Sequence, residues 1–177
     1  SIIRSDSREA LETAIAKRFG DQPDIEAAWL GRYNPSTGLL RPVAGTNRPA
    51  EGISVPGDGS SPLSRLVESG SVEIVTESVA YFSDQEAVAA TALIPLTYRE
   101  TIYGVLAVAT SQPDLFDERE TVVMEAVGQA AGAAINALER VSLSEGETVI
   151  ETRLEIADPT MALVELAETL STGNTAD

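Results

Sequence analysis

The segment ALIPLTYRETIYGVLAVA, residues 92–109, decides how the rest of the chain is read. Ala92 to Tyr98 and Ile102 to Ala109 are the clearest strands in the sequence, and the link Arg99-Glu100-Thr101 is short enough for a hairpin. Upstream, Val72 to Thr76 reads as a short strand, and Val79 to Ala90 as loop with a helical turn or two. Before these, Pro62 to Glu68 reads as a short helix, with Pro62 suited to its first turn and Gly70 to its stop. It follows a Gly/Pro-rich stretch, Gly45 to Ser61. Further upstream a second hairpin is expected. Strands Ile25 to Tyr33 and Leu39 to Ala44 flank the turn residues Asn34-Pro35-Ser36-Thr37-Gly38.

Helices are expected at both ends. Asp6 with Glu9 resembles a capping box, and Leu11, Ile15 and Phe19 recur at i, i+4 until Gly20-Asp21-Gln22-Pro23. Downstream, Asp117 and Glu120 form a second capping-box pattern, opening a helix over Glu118 to Leu143. Val123, Val127, Ala130, Ala134, Ala137 and Val141 alternate at spacings of four and three, a heptad-like seam of small residues suited to helix–helix contact. Ala126, Ala131, Ile135 and Leu138 widen the apolar face enough to cover a sheet. Past Ser144-Glu145-Gly146 the character changes. Thr148 to Ala157 alternates like a strand, and Asp158-Pro159 opens another helix reaching about Leu170. A strand and a helix cannot bury a face alone. The organisation read here is therefore one domain over residues 1–145 and, over 146–177, the start of a second α+β domain.

Charge and absent residue types narrow the chemistry. The 28 acidic residues outnumber the 12 basic ones, for a net charge of −16, and Lys17 is the only lysine. Such a surface self-repels in dilute buffer, whereas at molar salt the Debye length falls to about 3 Å. A salt-rich cytoplasm is the environment this suggests. The same charge argues against direct nucleic-acid contact by this segment. With no Cys and no His, thiol nucleophiles, Cys/His zinc sites, His–Ser triads, the usual haem ligands and thioether-linked pigments are excluded. No apolar run of about 18 residues reads as a membrane span and no signal peptide is evident, so the expected location is cytoplasmic and no membrane partner is expected.

The element order of helix, hairpin, loop, short helix, strand, hairpin and long helix resembles that of a GAF domain. GDGSSPLSRLVESGSVEIV (Gly57 to Val75) is similar to the family's glycine, short helix, glycine and buried strand. The runs Ala92 to Leu96 and Ile102 to Val108 resemble its paired central strands, and Phe116-Asp117-Glu118-Arg119-Glu120 the entry to its last helix. The likeness covers about residues 8 to 143. It implies an α+β fold with an antiparallel sheet of five or six strands. Helices Asp6 to Phe19 and Glu118 to Leu143 would pack on one face, with a loop-rich pocket on the other. The run from Ile135, INALERVSLSEGETVIETRLEIADP, is similar to the junction in the bacterio-opsin activator family of halophilic archaea. There a GAF domain leads through an α+β domain to a C-terminal helix-turn-helix. That resemblance implies a transcription regulator that meets DNA only through a domain outside this chain.

Site residues follow from the same likeness. GAF domains often hold a small molecule, and the pocket candidates are Trp29, Gly57, Ser60, Tyr81, Phe82 and Tyr103. The alternative is that these aromatics are ordinary packing. No catalytic residue, metal site or cofactor is expected, and the ligand is unnamed. Gly57-Asp58-Gly59-Ser60-Ser61 precedes a helix but lacks the Gly-Lys-Ser/Thr ending of a P-loop, and reads as a structural turn. The Asn-Lys pair and spaced Phe of cyclic-nucleotide-binding members are absent. Asp114, Asp117, Glu118 and Glu120 read as a solvated helix start rather than a cation or acid/base site. Many GAF proteins pair their terminal helices with a partner's. The residues for a homodimer here are Leu11, Ile15, Val123, Val127, Ala130, Ala134 and Val141. Three functional classes remain: a small-molecule-sensing regulatory module, a structural dimerisation and relay module, and an enzyme. For the last, the family's methionine sulfoxide reduction requires a cysteine. A sensor kinase could carry the same domain in place of a transcription regulator.

Overall fold

The computed structural model describes residues 2–76, 81–84 and 86–143, with side chains described from residue 7 to residue 140 within those ranges. In chain order the elements are α1 (Ile2–Gly20), β1 (Ala27–Asn34), β2 (Leu39–Gly45), β3 (Ile53–Ser54), α2 (Pro62–Ser69), β4 (Glu73–Val75), β5 (Ala90–Tyr98), β6 (Thr101–Thr110) and α3 (Glu118–Leu143). The expected second domain over 146–177, with its strand and helix, lies outside the described residues.

Six antiparallel strands form one sheet in the order β3-β2-β1-β6-β5-β4. Both hairpins form where the turn residues place them. At the first, Asn34 Oδ1 accepts the Ser36 N–H (2.9 Å) and the Asn34 carbonyl accepts the Gly38 N–H (2.8 Å). Asn therefore supplies a local side-chain mimic of a turn bond. At the second, Tyr98 pairs directly with Thr101, leaving a two-residue turn. Pro95 sits in β5 beyond the reach of β4, which pairs only with Thr91 to Leu93. There β5 borders β6 alone, the setting in which a strand tolerates proline.

Strand alternation divides the core in two. Ala28, Leu30, Ala92, Ile94, Leu96, Leu106 and Val108 face the layer made by α1 and α3. Trp29, Leu40, Leu93, Val105, Ala107 and Ala109 face α2 and the loops. A sheet covered on both faces explains why residues 90–96 are buried without a polar alternate. Against α1 and α3 the core is completed by Leu11, Ile15, Phe19, Met124, Val127, Ala131, Ala134, Ile135 and Leu138.

Helix ends follow the sequence with one exception. Asp117 Oδ1 accepts the Glu120 N–H at 2.9 Å, capping α3. Ser61 caps α2 by accepting the Ser64 N–H (3.1 Å), and Gly70 ends it in the left-handed region at φ 69°. The exception is α1, which begins at Ile2, so Asp6 lies inside the helix rather than at its cap. The pattern Asp6-x-x-Glu9 is necessary for a capping box but equally compatible with a helix interior. Two smaller differences concern loops. β3 interrupts the Gly/Pro-rich stretch, because Ile53 and Ser54 pair with Leu40 and Leu39. Residues 81–84 and 86–89 contain no helix, only bends and a short turn at Glu86 and Ala87.

The small residues of α3 serve its approach to the sheet. A Cβ placed on Gly128 would lie 2.2 Å from the Pro95 carbonyl oxygen, and one on Gly132 would lie 1.9 Å from that of Thr97. Helix backbone is thereby laid directly on β5.

Candidate functional site

On the loop side of the sheet the aromatic candidates converge. Trp29 on β1 is fully buried, and its Nε1 donates to the Tyr81 carbonyl at 2.8 Å. The Phe82 ring meets Trp29 edge-on with centroids 6.4 Å apart. Tyr81 is itself buried, and desolvation pushes its phenol above the ordinary tyrosine range. The segment carrying Tyr81 and Phe82 is clipped in place by Asn47. Its Nδ2 donates to the Asp84 carbonyl (2.7 Å), and its Oδ1 accepts the Ser83 hydroxyl and the Asp84 N–H. Asn47 adopts φ 55°, a left-handed conformation that Asn tolerates better than most residues. No sequence pattern pointed to Asn47, since its partners lie 36 and 37 residues away.

The other pocket candidates are placed differently. Gly57 and Ser60 are exposed in the loop before α2. That loop is held by its own bonds: Asp58 Oδ1 accepts the Ser60 N–H (3.0 Å), and Ser64 Oγ accepts the Gly59 N–H (2.6 Å). Tyr103 does not join Trp29, Tyr81 and Phe82. Its number has the parity of Val105 and Ala107, but the register of β6 shifts at this point, Gly104 pairing with Leu96 and Ile102 with Thr97, and the extra residue turns Tyr103 to the helix side. Its hydroxyl donates to Asn136 Oδ1 of α3 at 2.9 Å. A period-two count along β6 places Tyr103 with Val105 on the loop side, and no local signal in the sequence marks the bulge that reverses it.

On the helix side, Leu11, Ile15, Val127 and Ala134 are buried in the chain's own core, while Val123 and Ala130 are partly buried against it. Val141's side chain lies outside the described set. α1 and α3 are joined by Arg8, whose Nη1 donates to Glu139 at 2.7 Å. Beneath this contact sits Glu12, only 1% exposed, which accepts from Arg32 Nε and Nη2 (2.6 to 3.1 Å) and from Arg8 Nε (3.2 Å). A buried carboxylate needs this degree of pairing. The hydrogen bonds from Arg32 to Glu12 raise the guanidinium further above its ordinary range. At the head of α3, Glu120 is buried rather than solvated. Desolvation, with the Asp117 charge beside it, raises its carboxyl above the usual Glu range.

By length and composition α3 over Glu118–Arg140 could cross a membrane, which the sequence reading passed over. Its apolar residues Met124, Val127, Ala131, Ala134, Ile135 and Leu138 lie instead against the sheet.

A sequence profile of the GAF domain matches residues 6–136. The chain belongs to the GAF domain family. Solved GAF folds agree with the architecture. The GAF domain region of a putative membrane protein from Geobacter sulfurreducens superposes with a TM-score of 0.62 at 13% identity, covering 76% of this chain and 97% of that one. The type II free methionine-R-sulfoxide reductase of Thermoplasma acidophilum does so with a TM-score of 0.60 at 11% identity, covering 75% and 94%. At such identities the likeness concerns the fold. In sequence, this GAF domain is 32% identical over 176 residues to the bacterioopsin transcriptional activator of Halobacterium salinarum, a match covering 94% of the chain. The chain spans about a quarter of that relative's length. The GAF domain is thus related to a region of a transcriptional activator from a halophilic archaeon.

Proposed function

We propose that this GAF domain is a non-catalytic regulatory module of a transcription regulator, whose contact with DNA is made by a separate part of the parent protein. The observation that carries the reading is the 32% identity to the halobacterial activator, sustained across nearly the whole chain. The residue inventory supports the non-catalytic part, since neither Cys nor His is present to act as nucleophile or proton shuttle.

The geometry suggests how the module would work. The loop-side group of Trp29, Tyr81 and Phe82 lies across the sheet from α1 and α3. A small molecule entering that side, or a rearrangement in a neighbouring domain, would change how β1 and β6 carry the helices. Any ligand would act only through its differential affinity for the two arrangements. Pairing of α1 and α3 with a second copy would have to use outward residues such as Val122 and Ala126, because Leu11, Ile15, Val127 and Ala134 are occupied within the chain.

Tyr103→Phe in the full-length regulator tests the relay. It removes one sheet-to-α3 hydrogen bond, worth about 1 kcal/mol, or about a fivefold shift in a two-state equilibrium. Output from a reporter promoter should change while abundance and fold of the protein do not. Unchanged output would remove α3 as the route.

A further inference from the structure

A cleft lies on the helix side of the sheet, away from the aromatic group. It has a volume of about 490 Å³ and opens between α1 and the β1–β2 hairpin. Three of the chain's twelve basic residues line it: Arg8 from α1, Arg32 from β1 and Arg41 from β2. Arg32 and Arg41 are direct cross-strand partners. Like charges placed opposite each other destabilise a ladder, and a purely structural hairpin has no need of them.

The carboxylates near the cleft are unevenly shared. Arg32 is held by Glu12, and Arg8 by Glu12 and Glu139. Among the described residues no carboxylate lies within ion-pair distance of Arg41. Glu9 and Glu139 also act on Arg32 through their charge, so the acids gather about Arg8 and Arg32 and leave Arg41 the guanidinium without a direct partner among the described residues. Beside Arg41 the wall is apolar. Pro35 and Leu39 line it, and Leu39, at 41% exposed, is one of two large exposed hydrophobics among the described residues. Leu39 and Arg41 are two apart on β2 and so share a face.

We propose that this cleft binds a small organic anion, its carboxylate or phosphate on the Arg41 fork and its apolar body against Leu39 and Pro35. Arg41 offers a planar, always-charged donor set that takes either oxyanion in two parallel bonds. Glu12 fixes Arg8 and Arg32 beneath it, so the floor of the cleft is ordered before a ligand arrives. At molar salt only contact pairs of this kind survive screening, and the apolar wall gives an organic anion an advantage over chloride. Arg8 also bonds Glu139, so an occupant of the cleft borders the α1–α3 junction.

The test is titration of the 177-residue chain in molar KCl with hexanoate, hexyl phosphate and 1-hexanol, followed by backbone amide NMR. Either anion should saturate at millimolar concentration and shift the Leu39 and Arg41 amides, with hexanol much weaker. Preference for hexanoate names an organic acid, and preference for hexyl phosphate a phosphoester. Arg41→Gln should weaken binding about tenfold, which is about 1.4 kcal/mol. Binding of hexanol equal to the anions, an unchanged constant in Arg41→Gln, or no saturation by either anion would each overturn the proposal. These outcomes are independent of the reporter experiment on Tyr103.

Discussion

Substitution of Gly132 by Ala puts the contact between α3 and β5 to its sharpest test. In an exposed helix this change stabilises by about 1 kcal/mol, because Gly is a poor helix former. Here the sign should reverse. The added Cβ would stand 1.9 Å from the Thr97 carbonyl oxygen and 2.1 Å from its carbon, where ordinary contact begins at 3.4 Å. Relieving it requires the helix to retreat by about 1.5 Å, and the obstacle is backbone, which has no alternative rotamer. Gaps of roughly 0.5–1 Å already forfeit a quarter to a half of each dispersion contact. Met124, Val127, Ala131 and Ile135 would all lose part of their packing on the sheet. With overpacking at roughly 1–3 kcal/mol and the lost contacts added, we expect a net loss of about 3 kcal/mol. For a chain of this size that is a fall in Tm of roughly 6–12 °C. The assay is thermal or guanidinium unfolding in molar KCl, with Gly57→Ala as control, since a Cβ there meets nothing within 4 Å. A Gly132→Ala chain as stable as the parent would refute the close approach. Gly128→Ala combined with it should cost less than the sum, because one retreat relieves both clashes.

Three further outcomes follow from the side-chain networks. Glu12→Gln strands Arg32 and Arg8 beside an uncharged amide and should cost about 2–3 kcal/mol, below the full value for a buried pair because both arginines are partly exposed; denaturant melts read it. Asn47→Ala loses the clip on Ser83 and Asp84 and places a residue with a Cβ but no local bond at φ 55°, so the Ser83 and Asp84 amides should exchange faster with hydrogen–deuterium readout, at a stability cost of about 2 kcal/mol. Glu120 has a folded-state carboxyl raised above its unfolded value, so the protonated form favours folding and that contribution is lost as pH rises through the raised pKa. Glu120→Gln should therefore be more stable than the parent at pH 7, with the difference shrinking once pH falls below the ordinary Glu range; pH-dependent melts that stay parallel would contradict this.

Both hairpins were legible because their signals are local. Asn34 to Gly38 and Arg99-Glu100 declare turns within a few residues, as Asp117 declares the start of α3. What escaped the sequence reading depends on distant partners. Glu12 and Arg32 are 20 residues apart, and nothing in either segment marks them as a pair. β3 exists only because Leu39 and Leu40 offer an edge to Ile53 and Ser54. The small residues of α3 fit a seam for another helix or a cover for the sheet. Their period suits either partner, and the contact of Gly128 and Gly132 with Pro95 and Thr97 is set by the tertiary approach of α3 to β5, which no spacing in the sequence records. For the candidate site, the aromatic types were legible but their sides were not, which is why Tyr103 was grouped with Trp29. The arginine cleft left no mark in any single segment, since α1, β1 and β2 each contribute one of its charges.

The strand order has a kinetic side. β1–β2 and β5–β6 close over a few residues each, whereas the seam joining them pairs Ala27 with Ala109 and Arg32 with Gly104. Hairpins form in roughly microseconds, but the seam must first bring together segments more than seventy residues apart, paying loop-closure entropy before any contact repays it. The rate of folding is then governed by how readily β1 finds β6. Substitutions along that seam should slow folding, while those confined to α2 or the hairpin turns should act mainly on unfolding.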